Sequence, residues 1–312
     1  MDANASHTEE ATPVAAIVAM LAAGLLFSCL DTSAKYLVIH GMSAQFVAWA
    51  RSAEHAVLAL VLLRAWSNPR IFQTRNLWLQ VLRGLFMFGS SYFNFEALKT
   101  LQLAQTVTVN FMSPMVVTAL AGPLLGEWAG WRRWVAIIVG FLGVLVVARP
   151  GVNHLGIGFL YISCAMLSYS FYVLLTRRMT VRETPESLIF FSALAPTVLI
   201  SPAVAYATYP ADAVQWTLLL LLGVFGGVGH WMIIHAYRRA STTALAPYPY
   251  LQMIWMTVGG YLVFSQFPDG LTVIGGLIIA ASGLYIVHRE RRLRLRSRSA
   301  PHTEVHEIAK RL

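Results

Sequence analysis

Ten apolar runs fill the chain from Val14 to His288, separated only by short polar breaks. They cover 14–39, 43–66, 77–97, 101–125, 132–148, 156–176, 186–206, 214–236, 241–265 and 270–288, each near the roughly 20 residues that cross a bilayer as a helix. In hydrocarbon every backbone polar group must bond within its own segment, and the runs lack the short alternating strands of a barrel. The expected fold class is therefore all-α, a polytopic membrane protein with ten transmembrane helices. Of 312 residues, 57% are hydrophobic and only 12% charged, against roughly 25% charged in soluble domains. That balance excludes a cytosolic enzyme and, despite the net charge of +9, a nucleic-acid-binding domain. The two cysteines, Cys29 and Cys164, lie inside apolar runs and read as small buried hydrophobes, not a disulfide framework.

The basic residues set an orientation. With the N-terminus in the cytoplasm, the inner loops hold Arg64, Arg70, Arg75, Arg132, Arg133, Arg177, Arg178, Arg182, Arg238 and Arg239, and the tail after His288 adds eight more cations. The opposite side holds only Lys99 and Arg149. The expectation is N-in and C-in, in a bacterial inner (plasma) membrane. The leader at 1–13 carries Asp2, Glu9 and Glu10 where a secretory signal would be basic, so it reads as a retained cytoplasmic tail. The basic stretch RERRLRLRSRSA within 289–312 reads as a stop-transfer tail near anionic headgroups.

A weak duplication lies beneath this pattern. ALKTLQLAQT from Ala97 sits over AYRRASTTAL from Ala236, Gly143 to Arg149 over Gly283 to Arg289, Lys35 over Arg177, and Met42-Ser43 over Thr184-Pro185. The units are 14–149 and 156–288, with five runs each. Five is odd, so the halves must cross the membrane in opposite senses. Inverted five-helix repeats of this kind belong to secondary carriers with a midplane site.

The string ALKTLQLAQTVTVNFMSPMVVTALAGPLLGE, followed by GFLGVLVVARPG, resembles the span-three-to-five signature of the drug/metabolite transporter superfamily, EamA type. AYRRASTTALAPYPYLQMIWMTVGGYLVF with IGGLIIAASGLYIVHRE is similar to its span-eight-to-ten signature. Among branches, the bacterial amino-acid exporters of the YddG type look most similar. The chain departs where the aromatic-Gly pair common in the family is Phe27-Ser28, and Asp31 is unusual. The resemblance implies a metabolite carrier with a cavity lined by spans one to four and six to nine, spans five and ten being peripheral.

Ionisable groups inside spans are functional candidates, since each costs at least about 2.5 kcal/mol at mid-bilayer unless paired or hydrated. The hairpin of spans one and two turns near Gly41, which puts Asp31 opposite Arg51, with Lys35 one turn beyond Asp31 and Glu54 three residues beyond Arg51. Two acids and two bases would form either an ion-pair clamp or an outer gate with a protonatable acid. Arg83 reads as a snorkelling cation or as a partner for a substrate carboxylate in the inner vestibule.

Polar stripes point to a cavity. Thr106, Asn110 and Ser113 share a face of span four, Ser90 and Asn94 a face of span three, and Ser163 and Ser170 a face of span six. Each is either interhelical glue or a substrate contact. Pro247 and Pro249 in span nine, with Pro114 as a loose counterpart in span four, read as hinges or static kinks. Tyr248, Tyr250 and Gln252 surround the span-nine break, and its freed carbonyls could accept a substrate ammonium. His230, beside Gly226-Gly227, is a substrate contact, a proton acceptor or a packed neutral histidine. His235 lies five residues on, which rules out the spacing of a zinc pair.

The function expected is secondary export of a small metabolite, foremost an amino acid, by alternating access. Drug efflux or uptake of a nucleotide-like metabolite are the other transport readings. A membrane-embedded scaffold or enzyme is disfavoured: no catalytic motif is found, and no catalytic residue, metal or cofactor is expected. The partners expected are a small-molecule substrate and membrane lipids, with protons as an open co-substrate and no nucleic acid.

Overall fold

The computed structural model describes residues 14–149, 156–205 and 207–299. The expected tail at 1–13 and the end of the basic tail lie outside them. Twelve helical segments follow in order: α1 (Val14–Ile39), α2 (Ala44–Leu62), α3 (Leu77–Leu98), α4 (Leu103–Asn110), α5 (Ser113–Leu125), α6 (Trp131–Ala148), α7 (Ile157–Met179), α8 (Pro185–Val204), α9 (Ala213–Arg239), α10 (Thr242–Leu245), α11 (Gln252–Phe264) and α12 (Gly270–Ser299). Among the described residues there is no strand.

Helix starts follow local chemistry. Ser43, Asn76, Thr184 and Asp212 each accept a bond from the backbone N–H three residues on, which satisfies a donor the helix cannot. Two of the proline-bearing runs are broken, whereas α8 runs unbroken through Pro196 and Pro202. Run four parts at Phe111-Met112 into α4 and α5, with Pro114 in the first turn of α5. Run nine parts into α10, a 3₁₀ turn at Tyr248–Leu251 and α11, because Pro247 and Pro249 offer no amide donors.

Among the described residues, seven stretches are long and apolar enough to cross a membrane: α1, α4 with α5, α6, α7, α8, α9 and α12 to Arg289. The other three expected spans fall short for visible reasons. α2 carries Arg51, Glu54 and His55, α3 carries Arg83 and Glu96, and run nine is interrupted. Large apolar side chains such as Val61, Ile138, Leu262 and Leu277 are exposed, as a hydrocarbon surround allows.

The helices pair across the two halves. α1 packs on α9, α3 on α7, α2 on α8 and α6 on α12. Exchanging the halves maps α1–α9 onto α7–α3 and leaves the other two pairs unchanged, as an internal pseudo-twofold relation requires. Smaller contacts obey it too: Gly140 of α6 packs on Met112 and Met115 at the run-four break, and Gly276 of α12 packs on Met253 of run nine. The α6–α12 pair is held by backbone approach at Gly143 and Gly275 and by an ion pair between Arg149 and Asp269.

A Cβ at Gly143 would lie 2.8 Å from Ile279 and 3.0 Å from the Gly275 carbonyl oxygen. Gly143→Leu is therefore expected to cost about 1–3 kcal/mol by overpacking, lowering the unfolding midpoint in detergent. Gly270→Ala, where a Cβ meets nothing within 4 Å, should leave the midpoint unchanged.

Candidate functional site

The polar side chains of α1, α2, α3, α4 and α9 converge on Arg51. On α2, Arg51, Glu54 and His55 recur at i, i+3 and i+4 and so share one face. The Arg51 guanidinium donates to Ser91 Oγ of α3 and interacts electrostatically with both Asp31 and Glu54. Asp31 Oδ1 accepts a 3.1 Å hydrogen bond from Asn94 Nδ2, and Asn94 Oδ1 a long 3.4 Å bond from Asn110 Nδ2. Three helices, α1, α3 and α4, are thus tied into one polar chain.

Opposite lies α9, thinned by glycine. A Cβ at Gly223 would meet Glu54 at 2.5 Å, and one at Gly226 would meet His55 Nε2 at 2.8 Å. These glycines let the polar face of α2 press against the α9 backbone. His230 Nδ1 donates to Gly226 O at 2.8 Å, which leaves Nε2 as the ring acceptor. Its ring stands edge-on to Phe27 at 5.0 Å and to His55 at 6.0 Å between centroids. Arg51 Nε and Glu54 Oε2 are buried without a hydrogen-bond partner, as is Nε of Arg83 outside the cluster, and each such group calls for a physical explanation.

The expected four-charge clamp does not form. Lys35 turns away from Asp31: its Nζ donates to Leu101 O at 2.6 Å and to Gln266 Oε1 at 2.8 Å, beside the Phe264 ring. A backbone carbonyl and an amide pull the ammonium toward the loops before α4 and after α11. Among the described residues, the cluster is left with two carboxyls and one guanidinium.

The other expected contacts divide. Asn94 and Asn110 stand in the cluster, and Ser90 lies beside Ser91 on α3, half-buried. Thr106 and Ser170 are almost wholly buried, and their hydroxyls bond within their own helices to Leu103 O and Met166 O. Both serve as packing, not as open polar groups. Tyr248 packs near Ala236 and Leu245 beside α1, Gln252 lies against Gly24 of α1, and Tyr250 stacks edge-on with Phe111 at 4.9 Å with its hydroxyl against Gly283. The span-nine residues therefore lie apart from the Arg51 cluster. Pro114, Pro247 and Pro249 stand where the helices break.

Arg83 takes neither expected role. It is 1% exposed, so it neither snorkels to the surface nor offers its charge to a vestibule. Its guanidinium donates to Leu188 O, to Gln80 Oε1 and to Thr176 Oγ1, and faces the Tyr172 ring, locking α3 to α7 and α8. His55 and Ser91 are site residues absent from the sequence-based candidates. The i, i+3, i+4 spacing with Arg51 and Glu54 is a usable signal for His55; Ser91 has none beyond its place next to Ser90.

Residues 14–149 and 156–288 each match the EamA-like transporter family. The chain belongs to that family. Among curated relatives of this EamA-like protein, an S-adenosylmethionine uptake transporter of Rickettsia bellii is 27% identical over 267 residues, 85% of this chain and 90% of its own. A riboflavin transporter of Vibrio cholerae is 25% identical over 92% of this chain and 97% of its own. A pseudopaline exporter of Pseudomonas aeruginosa is 28% identical over 60% of this chain and 67% of its own. A solved crystal structure superposes with TM-score 0.60 over 90% of this chain and 99% of its own at 19% identity, so the fold is shared. The EamA-like chain is a multi-pass protein of the bacterial inner membrane, of a family whose named relatives move small metabolites. None of those names carries amino-acid export.

For this EamA-like protein, Arg83→Ala should remove the lock between α3, α7 and α8 and cost about 2–4 kcal/mol, as expected for lost charge-assisted bonds in a buried site. Thermal unfolding in detergent checks this against Arg70→Ala, an exposed change expected to stay within about 0.5 kcal/mol.

Proposed function

We propose that this protein is a secondary carrier for a small metabolite bearing a positive charge, taken up or released by alternating access at the Arg51 cluster. One observation carries the reading: Asp31 and Glu54 both lie within electrostatic reach of Arg51, while Lys35 is committed elsewhere. Two ionised carboxylates beside one cation would leave an uncompensated charge among membrane helices, which is costly. A cationic group on the substrate, or a proton on Glu54 or a histidine, supplies the balance. Asn94 and Asn110 offer hydrogen bonds to the rest of the cargo, and Phe27, His55 and His230 form a ring-lined wall.

The S-adenosylmethionine transporters among the relatives support this class, whereas the riboflavin transporter's named substrate carries no positive charge. S-adenosylmethionine carries a sulfonium and an α-ammonium and is an adenosine derivative, so uptake of a nucleotide-like metabolite fits better than export of simple amino acids. The carrier architecture we propose has ten crossings, N-in and C-in, with the two five-span halves inverted about an axis in the membrane plane and both tails cytoplasmic. The breaks at Pro114, Pro247 and Pro249 act as the hinges. Protons enter as the competitor for the unpaired carboxyl.

Counterflow in proteoliposomes with labelled S-adenosylmethionine, riboflavin and a neutral amino acid tests the proposal. The expected result is saturable exchange of S-adenosylmethionine that falls as protons compete at lower pH. Glu54→Gln should lower it at least tenfold, about 1.4 kcal/mol or more, while Glu127→Gln, at an exposed carboxylate, leaves it intact. Exchange of riboflavin or the neutral amino acid alone, indifferent to Glu54→Gln, would overturn the charge argument.

A further inference from the structure

A second site lies outside the polar cluster, between the peripheral helices α6 and α12. The two helices run antiparallel and touch backbone to backbone at Gly143 and Gly275. From that crossing they part toward the ends that carry Arg132 and Arg289. Val139 is four residues from Gly143 and Tyr285 ten from Gly275, distances of about 6 Å and 15 Å along a helix. The wedge between them is a groove of about 490 Å³ lined by Val135, Val139, Ile278, Ala281 and Tyr285, with Arg132 at one end. Its volume falls in the roughly 300–1,000 Å³ range of ligand clefts.

The open end of the groove is cationic. The Arg132 guanidinium lies 5.2 Å from the centre of the Trp131 ring, and Trp131 is exposed, a pairing typical of the membrane interface. Arg289 follows Tyr285 by one turn on the same face of α12, and its Nη1 is buried with no hydrogen-bond partner. An apolar wedge with Arg132 in its lining and Arg289 one helical turn beyond Tyr285 fits a chain attached to an anion.

We infer that the α6–α12 groove binds an anionic phospholipid of the bilayer, with an acyl chain along Val139 and Ala281 and the phosphate between Arg132 and Arg289. A second copy of this chain is the weaker fit. α6 and α12 carry no acidic residue before Glu290, so a twofold contact across this face sets arginine against arginine.

The experiment titrates the full-length protein in detergent with dioleoyl phosphatidylglycerol or dioleoyl phosphatidylcholine, reading bound lipid by native mass spectrometry and stability by thermal unfolding. Phosphatidylglycerol is expected to bind at least fivefold tighter, with Arg132→Gln and Arg289→Gln each losing about fivefold, as one arginine near an anionic headgroup contributes. Two groove-filling variants, Ala281→Phe and Val139→Trp, should lose the bound lipid while keeping the helical circular dichroism of the parent. Glycerol 1-phosphate, which has the anion without the chain, should not compete. Equal binding of the two lipids, retention of lipid by both filled variants, or a dimer that either filled variant dissociates would overturn the inference.

Discussion

Arg51 is the cation on which the interior of this bundle turns. It donates to Ser91 on α3 and interacts electrostatically with Asp31 on α1 and Glu54 on its own helix, so three helices meet around one charge. A charge among apolar helices persists only where partners gather around it, and the α9 glycines at 223 and 226 allow that gathering. The rings of Phe27 and His55 both stand edge-on to His230 on the α9 side of the cluster. Among the described residues no such cluster lies between α6 and α12, which pair with each other.

The duplication explains why both halves build the site. Because α1 packs on α9 and α3 on α7, each half inserts helices into the other. The cluster therefore draws α1 to α4 from the first unit and α9 from the second, and it cannot assemble from one unit alone. The two broken spans, α4–α5 and α10–α11, meet where the halves join. Arg83 complements Arg51 as a buried cation that fastens α3 to two helices of the opposite half.

Much of this architecture is legible in the residues alone. The length of the apolar runs marks the helices, prolines lie at both breaks though Pro196 and Pro202 leave α8 unbroken, and the hairpin arithmetic sets Asp31 near Arg51. What the sequence withholds is the direction of long flexible side chains. Lys35 follows Asp31 by one turn, yet its ammonium goes to Leu101 O and Gln266, acceptors supplied by loops whose position only the tertiary fold decides. Arg83 escapes prediction for the same reason, since its acceptor Leu188 O lies more than a hundred residues away. Thr106 and Ser170 show a different limit: a hydroxyl can satisfy itself on the preceding turn, so a polar stripe need not face a cavity.

The methionines at the breaks have a mechanical consequence. Met112 and Met115 rest on Gly140 of α6, and Met253 rests on Gly276 of α12. Each broken span thus touches the peripheral pair through an unbranched, polarisable thioether seated on a smooth patch of helix. Methionine reshapes at small energetic cost, whereas the α6–α12 crossing is backbone against backbone and yields little. In the proposed transport cycle the outer pair would serve as a rail on which the two interrupted helices bear through these soft pads.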